Sequence, residues 1–121
     1  MRPIIMQDWI TIQGTASVNI VMSQVDWILT STFEDITFYL ECRRLTSTPS
    51  MQYETSPARD DALFYRMGAA VAIATGVTAA KNFYTANADA PVSHWTRWKL
   101  IAPAALWDVT FRIMASANSK E

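Results

Sequence analysis

Apolar and polar residues alternate along this chain at a period of two, in run after run. In "DWITIQ" (8–13) Ile10 and Ile12 stand against Trp9, Thr11 and Gln13; in "SVNIVM" (17–22) Val18, Ile20 and Met22 stand against Ser17, Asn19 and Val21. A short "VDWILT" piece (25–30) precedes the clearest run, "DITFYLECRRL" (35–45). Its inward row is Ile36, Phe38, Leu40 and Cys42, and its outward row is Thr37, Tyr39, Glu41 and Arg43. "SMQYET" (50–55) follows a Thr/Ser/Pro turn at 46–49. Near the end, "HWTRWKLIA" (94–102) and "LWDVTFRIMA" (106–115) read as a closing hairpin joined by "PAA". Period-two patterning in β-branched and aromatic residues marks half-buried antiparallel strands.

The stretch 60–86 is ambiguous. Asp60 or Asp61 is placed to cap a helix, and the alanine content favours one. Against it stand Gly68 and Gly76, and Val71, Ile73, Thr75 and Val77 lie on one period-two row. The pattern predicts strands at about 62–67, 69–77 and 79–85, with a helix near 60–75 as the alternative. The chain is therefore expected to be all-β: a single antiparallel, jelly-roll-like β-sandwich of about seven to nine strands over 1–121. The other fold class left open is α+β. In the closing pair, Trp98, Leu100, Val109, Phe111 and Ile113 are expected in the core, with Arg97, Lys99 and Arg112 outward.

Composition narrows the function. At 121 residues this is one domain's length, and half of the residues are apolar, which excludes a disordered linker. Ten Lys and Arg against eleven Asp and Glu leave a net charge of −1. Proteins held on nucleic acid by phosphate contacts carry a clear basic excess, so no direct nucleic-acid partner is expected. The uncharged, alanine-rich stretch Met67–Ala80 is too short to span a bilayer, so no membrane partner is expected either. In "MRPIIMQDWI" Gln7 and Asp8 interrupt any apolar run of signal-peptide length, so synthesis in the cytoplasm is expected.

Chemistry-bearing residues are sparse. The lone cysteine, Cys42, sits in the inward row and reads as a small buried hydrophobe. The single histidine, His94, has no Ser/Asp constellation around it. One His and one Cys do not make a zinc site, so no metal or other cofactor is expected. No phosphate-binding glycine loop and no nucleophile elbow is present. Glu34-Asp35 and Asp60-Asp61 are adjacent carboxylates, and neighbours on a strand point to opposite faces. An enzyme is not expected.

Five tryptophans are many for this length. Core packing accounts best for Trp98 and Trp107, whereas Trp95 shares a row with Arg97 and Lys99 and suits a more exposed face. An aromatic beside basic groups anchors a protein interface or stacks on a sugar ring. The N-terminal "RPIIMQDWI" (2–10) has few charges, and Ile4, Ile5, Met6 and Trp9 exceed what one free arm leaves in water. An N-terminal arm, about 1–9, is expected to pack on a neighbouring subunit, with folding back on its own sandwich as the rival. The candidate interface is thus Ile4, Ile5, Met6, Trp9, Trp95, Arg97 and Lys99.

At "WILTSTFEDITFYLEC" (27–42), "ETSP" (54–57) and "HWTRWKL…LWDVTFRI" (94–113) the chain resembles small β-sandwich structural proteins of tailed phages and phage-like particles. The resemblance covers about two thirds of the chain and rests on packing motifs. It implies particle building: a self-assembling capsid, decoration or tail component, located in a virion or phage-like particle, with homo-oligomeric or other particle proteins as partners. The alternative is a β-sandwich module that binds carbohydrate or another ligand, with Trp95 or Trp9 as the stacking platform. A third reading is a cupin- or lipocalin-like small-molecule enzyme or carrier, whose enzyme version is weakened by the lack of a His/Glu metal set.

Overall fold

The computed structural model describes residues 2–84 and 90–119, and within them the alternating runs form ten strands in two antiparallel sheets. The strands are β1 (Arg2–Gly14), β2 (Ile20–Val21), β3 (Ile28–Leu29), β4 (Phe33–Thr46), β5 (Ser50–Ser56), β6 (Tyr65–Arg66), β7 (Val71–Ala72), β8 (Gly76–Tyr84), β9 (Trp95–Ile101) and β10 (Trp107–Ser119). One sheet has the order β1-β10-β4-β8 and the other β2-β9-β5-β6, with β3 also on β9 and β7 also on β5. Residue 1 of the expected arm and residue 85 of the expected 79–85 strand lie outside the described residues.

The two-residue strands are pieces of interrupted flanks. β2 and β3 pair with the two ends of β9, and Met22 N–H donates to the Trp98 carbonyl between them at 3.0 Å. On the other flank β6 and β7 pair with the two ends of β5, and Met67 N–H donates to the Tyr53 carbonyl at 2.8 Å. Counting each flank as one strand gives eight, four to a sheet, in the orders 1-8-3-6 and 2-7-4-5. Two interlocked Greek keys connected in this way are a jelly roll, and the all-β sandwich expected from the alternation is the fold.

The expected rows lie where the period placed them. Ile36, Phe38, Leu40 and Cys42 of β4 are buried, as are Val109, Phe111 and Ile113 of β10 and Trp98 and Leu100 of β9. Rings from the two sheets meet in pairs across the core. Phe38 stacks on Tyr53 at 4.0 Å, and Trp98 meets Phe111 edge-on at 5.3 Å. Such pairs add about 0.5–1.5 kcal/mol beyond their burial. Gly14 stands opposite Trp107, and a Cβ there would fall 2.1 Å from the indole, so only glycine admits this ring.

Two expectations are corrected. β9 and β10 are not a hairpin: they lie in opposite sheets, and residues 102–106 cross from one to the other. Their apolar rows do face each other, but across the core rather than along a hydrogen-bonded ladder. Pro103 has no N–H to offer a ladder, Ser17 N–H holds its carbonyl at 2.9 Å, and Asn19 Oδ1 holds the Ala102 amide at 2.8 Å. The stretch 60–80 is mostly extended, with a single 3-10 turn at Asp61–Leu63 that Asp60 caps by accepting from Ala62 N–H at 3.0 Å. No helix stands at 60–75, and the strands expected at 62–67 and 69–77 shrink to β6 and β7.

Residues 2–9 belong to β1. They continue without a break into 10–14, and Arg2 to Ile5 pair with Ala117 to Met114 of the same chain. Two irregularities, between Ile5 and Gln7 and between Gln7 and Ile10, bend the strand. Met6 enters the core by the strand's own period and is 4% exposed, and the first irregularity turns Gln7 inward as well, where its Oε1 accepts from the Trp98 indole N–H at 3.1 Å.

Candidate interaction surface

The outer faces of the two sheets carry the residues worth weighing. On β9 the outward row is Trp95, Arg97 and Lys99, as the alternation requires, but two loops cover it. Arg97, expected in the open, is 4% exposed. Its Nε donates to Glu54 Oε1 on β5 at 2.9 Å, and its Nη1 donates to Asp61 Oδ1 from the 3-10 turn. Its guanidinium lies 4.0 Å from the Phe64 ring centre and 5.1 Å from that of Trp27, and the two rings meet at 4.6 Å. Glu54 is completed by Gln52 Nε2 at 3.0 Å and Lys99 Nζ at 3.9 Å. Trp27 is fixed by its indole N–H on the Met22 carbonyl, and Arg59 ties the two loops together by donating to the Gln24 carbonyl at 2.8 Å. This is a second small core, charged at its centre and aromatic at its rim. A buried pair of this kind is satisfied only with every partner in place.

The outer face of the β1-β10-β4-β8 sheet has no such cover in the described residues. Ile5, Met114 and Tyr39 stand side by side across three strands in one row at right angles to them. Ile5 is 64% and Tyr39 43% exposed, and Met114 is half-buried. Further along, bulges in β1 and β4 converge on β10. Residues 8 and 9 share the space opposite Arg112, and Arg43 is the extra residue between the Cys42–Phe111 and Arg44–Thr110 pairs. The result gathers Arg43 at 4.3 Å and Arg112 at 5.1 Å around the Trp9 ring, with Arg112 paired to Glu41 at 2.8 Å.

The seven residues expected to form an interface therefore do not form one surface. Ile4, Ile5, Met6 and Trp9 lie on β1, in one sheet, and Trp95, Arg97 and Lys99 on β9, in the other. Met6 and Arg97 are buried, Ile4, Trp9, Trp95 and Lys99 are half-buried, and only Ile5 stands well out. Tyr39 and Met114 belong with Ile5 and were missed, although Tyr39 occupies the outward row of the most regular strand in the sequence. That is where an apolar residue signals a contact.

Other chemistry is thin. Cys42 is buried, and that burial pushes its thiol pKa up, against the smaller effect of its donation to the Arg44 carbonyl at 3.3 Å. A raised thiol pKa is the inert direction. His94 is exposed, and its carbonyl accepts from Thr30 N–H at 2.7 Å. No group of three or more His, Cys, Asp or Glu side chains is placed to hold a metal ion among the described residues. A cleft of about 390 Å³ beside β1 is lined by Ile4, Ile28, Leu29 and Phe33, with Ser31 and Thr32 as its polar members. One face of Trp9 and one of Trp95 already carry a guanidinium, from Arg43 and Arg59, where a sugar ring would stack. No helix of the described residues is long and apolar enough to cross a membrane. No protein-family model matches the chain, and no curated protein is significantly similar to it.

Proposed function

We propose that this protein is a non-enzymatic structural component that associates with copies of itself, in the manner of a capsid, decoration or tail protein of a phage-like particle. The observation that carries this reading is the uncovered row of Ile5, Met114 and Tyr39 on a sheet face whose counterpart is sealed by its own loops. Contiguous apolar residues on a flat outer face mark contact surfaces in soluble proteins. Jelly rolls serve capsids, lectins and cupins alike, so the fold is compatible with this role and the surface argues for it.

Size-exclusion chromatography with light scattering, over a rising concentration series, tests the reading. A mass that climbs to a multiple of 13.6 kDa is expected. A monodisperse monomer at high concentration overturns it. Electron micrographs of the concentrated protein then report whether the contacts close or propagate.

A further inference from the structure

We propose that the outer face of the β1-β10-β4-β8 sheet packs against the same face of a second copy, about a two-fold axis running along the Ile5–Met114–Tyr39 row. The proposal rests on the self-association reading above and specifies its geometry. Isologous contacts are the commonest way for identical chains to meet, and they require a patch that complements itself. This patch does. An axis lying along the row, in the plane between two stacked sheets, brings Ile5, Met114 and Tyr39 each onto or near its own copy. It also turns the strands of the copy antiparallel to the first, so each end of β4 lies over the opposite end of its counterpart.

Charge decides in favour of this arrangement. Asp35 and Arg43 stand on β4 four residues to either side of Tyr39, Arg43 at the bulge. Asp35 shares the outer face with its cross-strand neighbour Asn118, whose Nδ2 donates to it at 3.0 Å. Arg43 is on that face too, over Trp9. The two-fold sets Asp35 of each copy over Arg43 of the other, twice per dimer. Glu41 then lies over Thr37, and Arg112 over Ser116, so no like charges are opposed. Area allows it as well. Four strands about 4.8 Å apart and 30–40 Å long present a face of roughly 600–800 Å² per copy, close to that of a standard stable interface.

Charge reversal tests the geometry. Arg43→Asp alone puts two acidic groups in each cross-contact, and Asp35→Arg alone puts two basic ones there. Each purified variant is expected to weaken self-association at least tenfold by light scattering, with an unchanged far-UV spectrum. Mixing the two in equal amounts is expected to restore a dimer, because every contact in the mixed pair is again Asp over Arg. Ile5→Lys, at a 64% exposed position, places like charges together near the axis without touching either ion pair, and is also expected to dissociate the protein. If the charge variants do not fold, this substitution decides alone. A wild-type monomer overturns both the function and the geometry. A wild-type oligomer whose mass is unmoved by Ile5→Lys, or whose charge variants fold but do not recombine on mixing, overturns the geometry and leaves self-association standing.

Discussion

The outer faces of the two sheets are built from the same kinds of residue and come out opposite. Each has an arginine on an inner strand, a carboxylate on the neighbouring strand and a tryptophan ring beside the guanidinium. Over β9 the arginine, Arg97, is 5% exposed in its side chain; over β10 its counterpart, Arg112, is 40% exposed. What separates them is not the strands but what crosses them. Residues 23–27, which interrupt one flank, and 57–64, the connection from β5 to β6, fold over one sheet, whereas β1 runs beside β10 as a long edge strand and, among the described residues, leaves the other sheet bare. A broken flank both protects a sheet edge and supplies a cover for its face.

The largest tests ask whether the sealed face behaves as core. Phe111→Ala, in the centre of the sandwich, should cost about 3–5 kcal/mol in denaturant unfolding. Arg97→Ala should fall in the same range, about 3–5 kcal/mol, since it leaves Glu54 buried without its main partner. A loss below 1 kcal/mol for Arg97→Ala would mean that the loops are not a closed layer, and the contrast between the faces would collapse.

Next comes Gly14→Ala, which should cost about 1–3 kcal/mol because a methyl group there meets the Trp107 ring. A Gly14→Ala protein with wild-type stability and an unchanged tryptophan near-UV spectrum contradicts the packing.

Alkaline titration separates the sheets more gently. Burial raises the pKa of the Cys42 thiol on β4 and that of the Tyr53 phenol on β5. A folded-state pKa above the unfolded value favours the protonated form, so these contributions are intact at neutral pH and are lost as pH rises. The loss begins near pH 8.5 for Cys42 and near pH 10 for Tyr53, at up to about 1.4 kcal/mol per pH unit for each group. Tyr53→Phe should flatten the later part of the decline and Cys42→Ala the earlier. A stability curve level to pH 11 contradicts both.

The smallest effect is expected at Arg112→Ala, about 0–1 kcal/mol, as for an exposed ion pair. If it matches Arg97→Ala instead, the two faces are not different in kind.

Much of this was legible in the alternation. The inward rows of β4, β9 and β10 could be read directly, because a strand's two faces are decided by its own residues. Partners were not legible to the same degree. Facing apolar rows in β9 and β10 fit a hairpin and a cross-core contact equally well, and the choice falls to residues 102–106 and the side chains that clamp them. The direction of Arg97 followed from its place opposite Trp98 and Leu100, but its burial depends on Trp27, Asp61 and Phe64, distant in sequence. The short flanks escaped because two hydrogen-bonded residues such as Tyr65–Arg66 leave no periodicity to detect. Ile4, Ile5 and Met6 were read as too apolar for solvent; the structure buries Met6 and half-buries Ile4 but leaves Ile5 64% exposed. That their backbone pairs with Ala115 and Met114 of the same chain is a long-range fact that no local pattern contains.

That pairing bears on how the chain finds its shape. Thr11 and Thr110 share a hydrogen bond at 2.9 Å although 99 residues separate them, and β10, the last of the ten strands in chain order, lies between β1 and β4. Until β10 arrives β1 has no ladder, and β4 has only the one it makes with β8. Closing so long a loop carries its entropic penalty before any contact rewards it, and topologies dominated by such contacts fold slowly, on the scale of milliseconds to seconds. Until then two long apolar strands have unpaired edges at once. For this chain, the hazard of clumping belongs to the interval before its final strand is in place, and a product truncated ahead of Trp107 would remain in that interval permanently.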